Sequence, residues 1–404
     1  REGGEPLFPA YAVRTVAGVR VGILGLMTPL VSDWEPPSRI AGLRFLDSVE
    51  TAARYVAILR GRERCDLVIV ATHEGFERDP VTGTDLRSGD ENHAYAIATQ
   101  VPGIDLLLTG HTHTVIDPRR LGSAWVSQPG RYGNTLTRFD VTLSRAGRRW
   151  SVSEVRGVSL PMKSVSPDPE VVLLSGPVHE AAMAYLARPV ARLAAPLSTR
   201  DARSRDTAIL DWLHEVQRRE GRADLSFASF LPGTLAPWPA GPLTVRQVWS
   251  FYLYENTLVT LRATGRQVRE ALEIAARCIS GVESSGDSFA WRRNPFVWGY
   301  NCDTLDGAEY ALDPARPEGE RVLFLRRNGK PVGDDEQLLV AVNSYRAAGG
   351  GQYAVWKRCP RVAETRNSVR DLLLEDARRR RELDPKCNEN WFLAPSLPEG
   401  PFRR

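Results

Sequence analysis

Lysine is nearly missing from this 404-residue chain: Lys163, Lys330, Lys357 and Lys386 are its only lysines among 53 basic residues, so arginine carries the positive charge. The formal net charge is only +4, small for the length, which argues against a nucleic-acid polymer as partner. No apolar run approaches the roughly 20 residues that cross a bilayer, which leaves no candidate transmembrane segment. The five cysteines, Cys65, Cys278, Cys302, Cys359 and Cys387, include no Cys-x-x-Cys pair. That spacing excludes a zinc ribbon and a dense disulfide framework. No initiator methionine and no signal segment precede Arg1-Glu2-Gly3-Gly4, and the true amino terminus is expected upstream. Internal repeats and low-complexity tracts are also missing. What remains is ordinary globular composition, 42% hydrophobic and 25% charged, over a length that favours two domains.

The most informative stretch is Gly103-Ile104-Asp105-Leu106-Leu107-Leu108-Thr109-Gly110-His111-Thr112-His113. A short continuous apolar run reads as a buried parallel strand. Gly110 lets the chain turn at its end, and ligands of open α/β sheets collect beyond the carboxyl ends of strands. His111 and His113 fall there, and neutral imidazoles are the commonest metal ligands. Alone, a His-x-His pair is as readily a surface or core feature. A second run, Asp66-Leu67-Val68-Ile69-Val70-Ala71-Thr72-His73, delivers another histidine in the same way.

Around these strands the order is β-α-β-α-β, which argues for helices packed on a sheet. Residues 19–27 read as a strand, and Asp47-Ser48-Val49-Glu50 opens a helix with Val49, Ala52, Ala53, Val56 and Leu59 on its apolar face. A helical patch near residues 93–99 and strands around 125–126 and 137–143 complete a first domain over 1–150. Residues 151–200 read as a less regular connection with one helix over 171–186. A second domain, 201–404, begins with an amphipathic helix carrying Ile209, Leu210, Leu213 and Val216. Strands are expected at 225–228, 257–263, 321–326 and 338–343. A helix capped by Thr264-Gly265-Arg266-Gln267 should present Val268, Leu272, Ala275, Ala276 and Ile279.

Separated segments together resemble the metallophosphoesterases of the 5′-nucleotidase type, in their 2′,3′-cyclic-nucleotide 2′-phosphodiesterase/3′-nucleotidase branch. Val21-Gly22-Ile23-Leu24-Gly25-Leu26, His73 and Gly110-His111-Thr112-His113 match in order and spacing. So do Leu253-Tyr254-Glu255-Asn256-Thr257-Leu258, Tyr300-Asn301-Cys302-Asp303, Asn343-Ser344-Tyr345-Arg346-Ala347-Ala348-Gly349-Gly350-Gly351 and Asn390-Trp391. The 5′-nucleotidases carry Asn-Gly-Gly-Gly-Ile-Arg where this chain has Ala228-Ser229-Phe230-Leu231-Pro232-Gly233, which favours the cyclic-phosphodiesterase side.

The resemblance implies an incomplete calcineurin-like metallophosphoesterase sandwich, its sheets flanked by helices, followed by an α/β substrate-binding domain of the 5′-nucleotidase type. It implies two divalent metal ions of the Zn, Mn, Co or Mg kind, with His73 and His111 sharing one and His113 binding its neighbour. Such a pair clamps a phosphate and acidifies a bound water. Glu74 and Thr112 are expected as outer partners of the imidazoles, or as solvated residues. Tyr254 and Tyr345 match the positions that hold the nucleobase between aromatic rings, with Phe251 and Tyr252 as competitors for the first. Asn256 and Asn343 would read base edges or cap turns. Asp303 would reach a ribose hydroxyl or close a turn, and Arg203, Arg205 and Arg346 stand as candidate phosphate neighbours. The family's Asp-x-His, Gly-Asp and Gly-Asn-His-Asp/Glu motifs have no match before Val21. They are expected upstream of Arg1 with the catalytic histidine, so that these residues alone would be inactive. Gly89-Asp90-Glu91-Asn92-His93, out of order for that motif, reads as a plain loop and helix start. Nucleotide substrates, above all 2′,3′-cyclic and 3′-nucleotides, and a periplasmic or secreted location complete the expectation. A 5′-nucleotidase and a catalytically silent nucleotide-binding chain are the alternatives.

Overall fold

The computed structural model describes residues 4–35, 39–86, 89–147, 149–198, 200, 202–232, 235–285, 288–294, 297 and 299–394. The chain separates into two compact α/β units, residues 1–32 with 36–169 and residues 33–35 with 170–404. The division falls within the stretch 151–200.

The first unit is built on one mixed sheet. In chain order come β1 (Tyr11–Val16), β2 (Val19–Met27), the short α1 (Val31–Trp34), α2 (Ser48–Gly61), β3 (Leu67–His73), α3 (Ala94–Gln100), β4 (Leu106–Leu108), β5 (Val115–Leu121) and β6 (Ala124–Pro129). The spatial order is β1-β2-β3-β4-β6-β5, with β2, β3, β4 and β6 parallel and the two edge strands antiparallel. Leu24, Val70, Leu107 and Val126 stand in one register row and are fully buried. They pack in one core with Ala52, Val56 and Leu59 of α2 and Ala94, Ile97 and Ala98 of α3. Ala53, expected on the apolar face of α2, is exposed, because the face that meets the sheet is narrower than the run of small residues. Asp47 caps α2 by accepting from the Glu50 N–H at 2.7 Å. The opposite face of the sheet is more open: Ile23 is 36%, Leu108 37% and Met27 49% exposed.

A long antiparallel hairpin follows, β7 (Thr135–Ala146) and β8 (Arg149–Pro161). Residues 149–161 thus form a strand where the sequence suggested irregular structure. Their alternation runs through Trp150 and Val152, skips a residue at a bulge and resumes at Val155, and the serines, arginines and glutamate between them mask it. The expected helix over 171–186 runs Pro169–Leu186.

The core sheet of the second unit runs Asp303–Asp306, Leu225–Ser229, Gln337–Asn343, Thr257–Thr264 and Arg361–Ser368 in spatial order. The helix Ala208–Gly221 buries Ile209, Leu210, Leu213 and Val216 completely or nearly so. Thr264 closes a capping box with Gln267 at the start of the helix Gly265–Ala276. Ile279 does not belong to that helix: the helix ends before Cys278, which is bridged to Cys302, and Ile279 opens a strand.

Candidate functional site

Parallel strands deliver their carboxyl ends to one edge of the sheet, and the helix that follows each strand begins at that same edge. The edge of the first unit therefore collects the end of β3, the loop after β4, and the starts of α2 and α3. His73 is the last residue of β3, and His111 and His113 lie just beyond β4. The His73 and His111 rings meet edge to face, with centroids 5.2 Å apart. His113 packs by Tyr132, at 6.4 Å between ring centroids. Partial burial lowers the pKa of His73, and the His111 and His113 imidazoles lower it further. Burial likewise lowers that of His113, with Arg131 and His111 adding to the effect. The lowered values keep His73 and His113 in the neutral form a metal requires.

The backbone here is costly. His111 has φ of 70° and His113 of 59°, the left-handed region that side chains with a Cβ rarely enter. Such conformations cost about 1–3 kcal/mol each and persist where the surroundings over-determine them. Gly75 shows how tight those surroundings are: a Cβ there would lie 2.3 Å from Thr112 Cγ2, so only glycine lets the two histidine loops touch. The Gly110 N–H donates to the Glu74 carbonyl at 3.1 Å and ties the loops directly.

Three residues of the segment read as a plain loop reach into this arrangement. His111 Nε2 donates to Glu91 Oε1 at 2.8 Å, and Asn92 Oδ1 accepts from the Gly75 N–H at 2.6 Å. His93, at the start of α3, donates from Nδ1 to Glu74 Oε2 at 3.1 Å. Their signal in the sequence was positional. They stand just before a helix that follows the His73 strand, and a β-α-β crossover places such residues at the carboxyl edge. Glu74 is neither solvated nor bonded to one of the three candidate ligands. It is fully buried, accepts from Ser48 and Thr72 at 2.9 and 3.0 Å, and faces His93. Thr112 pairs with the buried Gln128.

In the second unit, Leu258 and Asn343 are register partners on neighbouring antiparallel strands. Tyr254, just before one strand, and Tyr345, just after the other, therefore rise from the same end of the sheet. Tyr254 is 47% exposed, whereas Phe251 and Tyr252 are 1% exposed and belong to the core. Burial pushes the Tyr252 phenol up to about 12, partly offset by Asn343 and Asn256 at its hydroxyl. Tyr345 lies over Gly350, where a Cβ would come within 2.4 Å of the ring. Asn343 caps the short helix Ser344–Ala347 by accepting from the Arg346 N–H at 2.8 Å. Asp303 and Arg346 do not reach outward: they form a buried two-pronged ion pair, with both contacts at 2.8 Å. Arg203 is spent on the Gly299, Phe230 and Pro232 carbonyls.

Among the described residues, one trio of ligand-type side chains has all its donor atoms within 4.8 Å of one another, namely Asp206, Asp211 and Cys387. Burial favours the protonated forms of all three groups. Burial raises the Cys387 thiol, and a thiol binds metal only as thiolate. Burial also lifts Asp211 to about 7, with Asp206 and Asp306 adding to it against the Asn388 N–H that lowers it. A carboxyl whose folded pKa is raised favours the folded state at low pH. That contribution is lost as pH climbs from the unfolded value of 3.8 to about 7. Asp211→Asn is therefore expected to raise the melting temperature at pH 8 and leave it unchanged at pH 4. Each kcal/mol is worth roughly 2–4 °C in a unit of this size. Thermal scans at both pH values decide it, and equal shifts at both would refute the titration argument.

Residues 186–358 match the family described as "5′-nucleotidase, C-terminal domain". The chain is 26% identical to a 2′,3′-cyclic-nucleotide 2′-phosphodiesterase/3′-nucleotidase of Salmonella typhimurium, over 97% of this chain and 69% of that protein. It is 24% identical to a trifunctional nucleotide phosphoesterase protein of Bacillus subtilis, over 93% of this chain but only 28% of that much longer protein. A crystal structure of a putative 5′-nucleotidase from Staphylococcus aureus superposes with a TM-score of 0.82 at 24% identity, covering 95% of this chain and 74% of that one.

Proposed function

We propose that the chain belongs to the 5′-nucleotidase-type metallophosphoesterases and that the whole protein hydrolyses nucleotide phosphoesters, opening 2′,3′-cyclic nucleotides and then cleaving the 3′-monoester. The family works with divalent metals. Here His73 and His111 would hold one ion and His113 a second, which together supply charge to clamp a phosphate and acidify water. The observation that carries this reading is the edge-to-face His73–His111 pair at 5.2 Å, set at the carboxyl edge of a parallel sheet with His111 held in a left-handed conformation. The donor chemistry fits a metal of the Zn or Mn kind: neutral imidazoles, one of them oriented by a carboxylate.

Tyr254 and Tyr345 would hold the base, since stacking on aromatic faces accepts any base and is worth about 1–3 kcal/mol per base. Asn343 serves them indirectly by capping the helix that carries Tyr345, and Asn256 lies beside the Tyr252 hydroxyl. The Cys278–Cys302 bridge supports a periplasmic or cell-surface setting, because such bridges persist in oxidising compartments. No helix among the described residues is long and apolar enough to cross a membrane.

Side-by-side turnover of cyclic 2′,3′-AMP, 3′-AMP and 5′-AMP by the whole protein in the presence of Mn²⁺ tests the assignment. Preference for the first two is expected. Preference for 5′-AMP would move the chain to the 5′-nucleotidases. AMP binding without turnover would favour a silent nucleotide-binding chain, a reading motivated by the unmatched ligand motifs of the family.

A further inference from the structure

Two helix starts and two histidine loops meet at one short segment. We propose that Glu91-Asn92-His93 is a positioning clamp that fixes the orientation of His111 and the spacing between the His73 and His111 loops. Each of its side chains grips a different part. Glu91 accepts a hydrogen bond from His111 Nε2 at 2.8 Å, so coordination by His111 would use Nδ1. Asn92, only 2% exposed, holds the Gly75 N–H two residues beyond His73. His93 engages the buried carboxylate of Glu74, the residue next to His73, and Ser48 at the start of α2 holds the same oxygen. The Ala94 N–H returns a bond to the Gly75 carbonyl at 3.1 Å.

The physical logic is that of an outer shell. A histidine ligand works best when its second nitrogen is bonded to a carboxylate, which selects the tautomer and holds the ring. A buried carboxylate is tolerable only with its lone pairs satisfied. Glu74 meets that condition through Ser48, Thr72 and His93, and it lies at the amino-terminal ends of α2 and α3, where helix dipoles favour negative charge. The clamp so formed offsets the strained backbone of His111. It rests on the metal reading above only for its purpose, since the contacts stand without an ion.

The test separates the two. In metal-free, ¹⁵N-histidine-labelled protein, His111 is expected as the neutral tautomer with its proton on Nε2. Glu91→Ala should collapse that signature to a tautomer mixture, while Glu91→Gln, whose amide oxygen still accepts, should keep it. Calorimetric titration with Mn²⁺ should show affinity falling about 10- to 100-fold for Glu91→Ala and His93→Ala, and less than about threefold for Glu91→Gln. Thermal melts confirm that each variant is folded. An unchanged tautomer in Glu91→Ala overturns the clamp, and so does unchanged Mn²⁺ affinity in both alanine variants of a metal-binding protein. If the parent protein binds no Mn²⁺ yet Glu91→Ala shifts the tautomer, the clamp stands and the metal reading falls.

Discussion

Replacing His73 with alanine in the whole protein is expected to weaken Mn²⁺ binding and to lower turnover of cyclic 2′,3′-AMP by about 100-fold or more, while the metal-free protein keeps its stability. A hundredfold loss corresponds to about 2.7 kcal/mol of transition-state stabilisation. The size of the effect follows from what the residue contributes. His73 ends β3 with an exposed side chain and stands 5.2 Å, ring to ring, from His111. Its loss removes one of the two imidazoles assigned to that ion, and a metal left with one imidazole there is held weakly. The fold should not notice, because surface substitutions away from core features stay within about 0.5 kcal/mol. His113→Ala makes the informative contrast. Its ring packs by Tyr132 rather than in the His73–His111 pair, so it should affect a second metal equivalent and leave the first in place. Calorimetry with Mn²⁺ and steady-state kinetics read both effects. Full turnover in His73→Ala would remove this edge of the sheet from the chemistry.

Much of that edge was legible in the sequence for one reason: its central parallel strands print continuous apolar runs, and a histidine ends one run and follows closely after the other. Leu67–His73 and Leu106–Leu108 are such runs. The strands that escaped notice lack that signature. β1 and β5 lie at the sheet's edges and carry Arg14, Arg119 and Arg120, and β8 hides its alternation among serines and arginines. The caps at Asp47 and Thr264 were readable because they are local, involving side chains three residues from the group they satisfy. The partners of His111 and Glu74 were not. Glu91 lies 20 residues from His111, and Ser48 lies 26 residues from Glu74, so only the crossover topology brings them together. The same holds in the second unit. Asp303 and Arg346 each looked like a residue for ligand, and only the packing reveals that each is occupied by the other.

That pair yields the largest expected stability effect. Asp303→Ala should destabilise the second unit by about 3–5 kcal/mol, the cost of leaving one partner of a buried ion pair uncompensated. The Arg346 side chain is 3% exposed and that of Asp303 1%, so water cannot replace the lost carboxylate without opening the core. Arg346 is committed elsewhere as well. It donates to the Gly350 and Tyr300 carbonyls at 3.0 and 2.7 Å, and its guanidinium lies 4.4 Å from the Tyr353 ring centroid and 5.4 Å from that of Tyr345. Burial alone would lower its pKa, but Asp303 outweighs burial and keeps the group charged. Even without Asp303 an arginine guanidinium keeps its proton, so the strain must appear as lost stability or as movement of the 345–350 turn. Movement would also reach the ring assigned to the base. Asp303→Ala should accordingly weaken AMP binding along with unfolding at lower urea, whereas Arg346→Met combined with Asp303→Leu removes both charges and should recover most of the stability. Recovery of stability without recovery of AMP affinity is the expected pattern, because the guanidinium that supports Tyr345 is still gone. Urea unfolding monitored alongside AMP titration reads both quantities. An Asp303→Ala variant as stable as the parent protein would mean that the pair is not a structural support of the second unit.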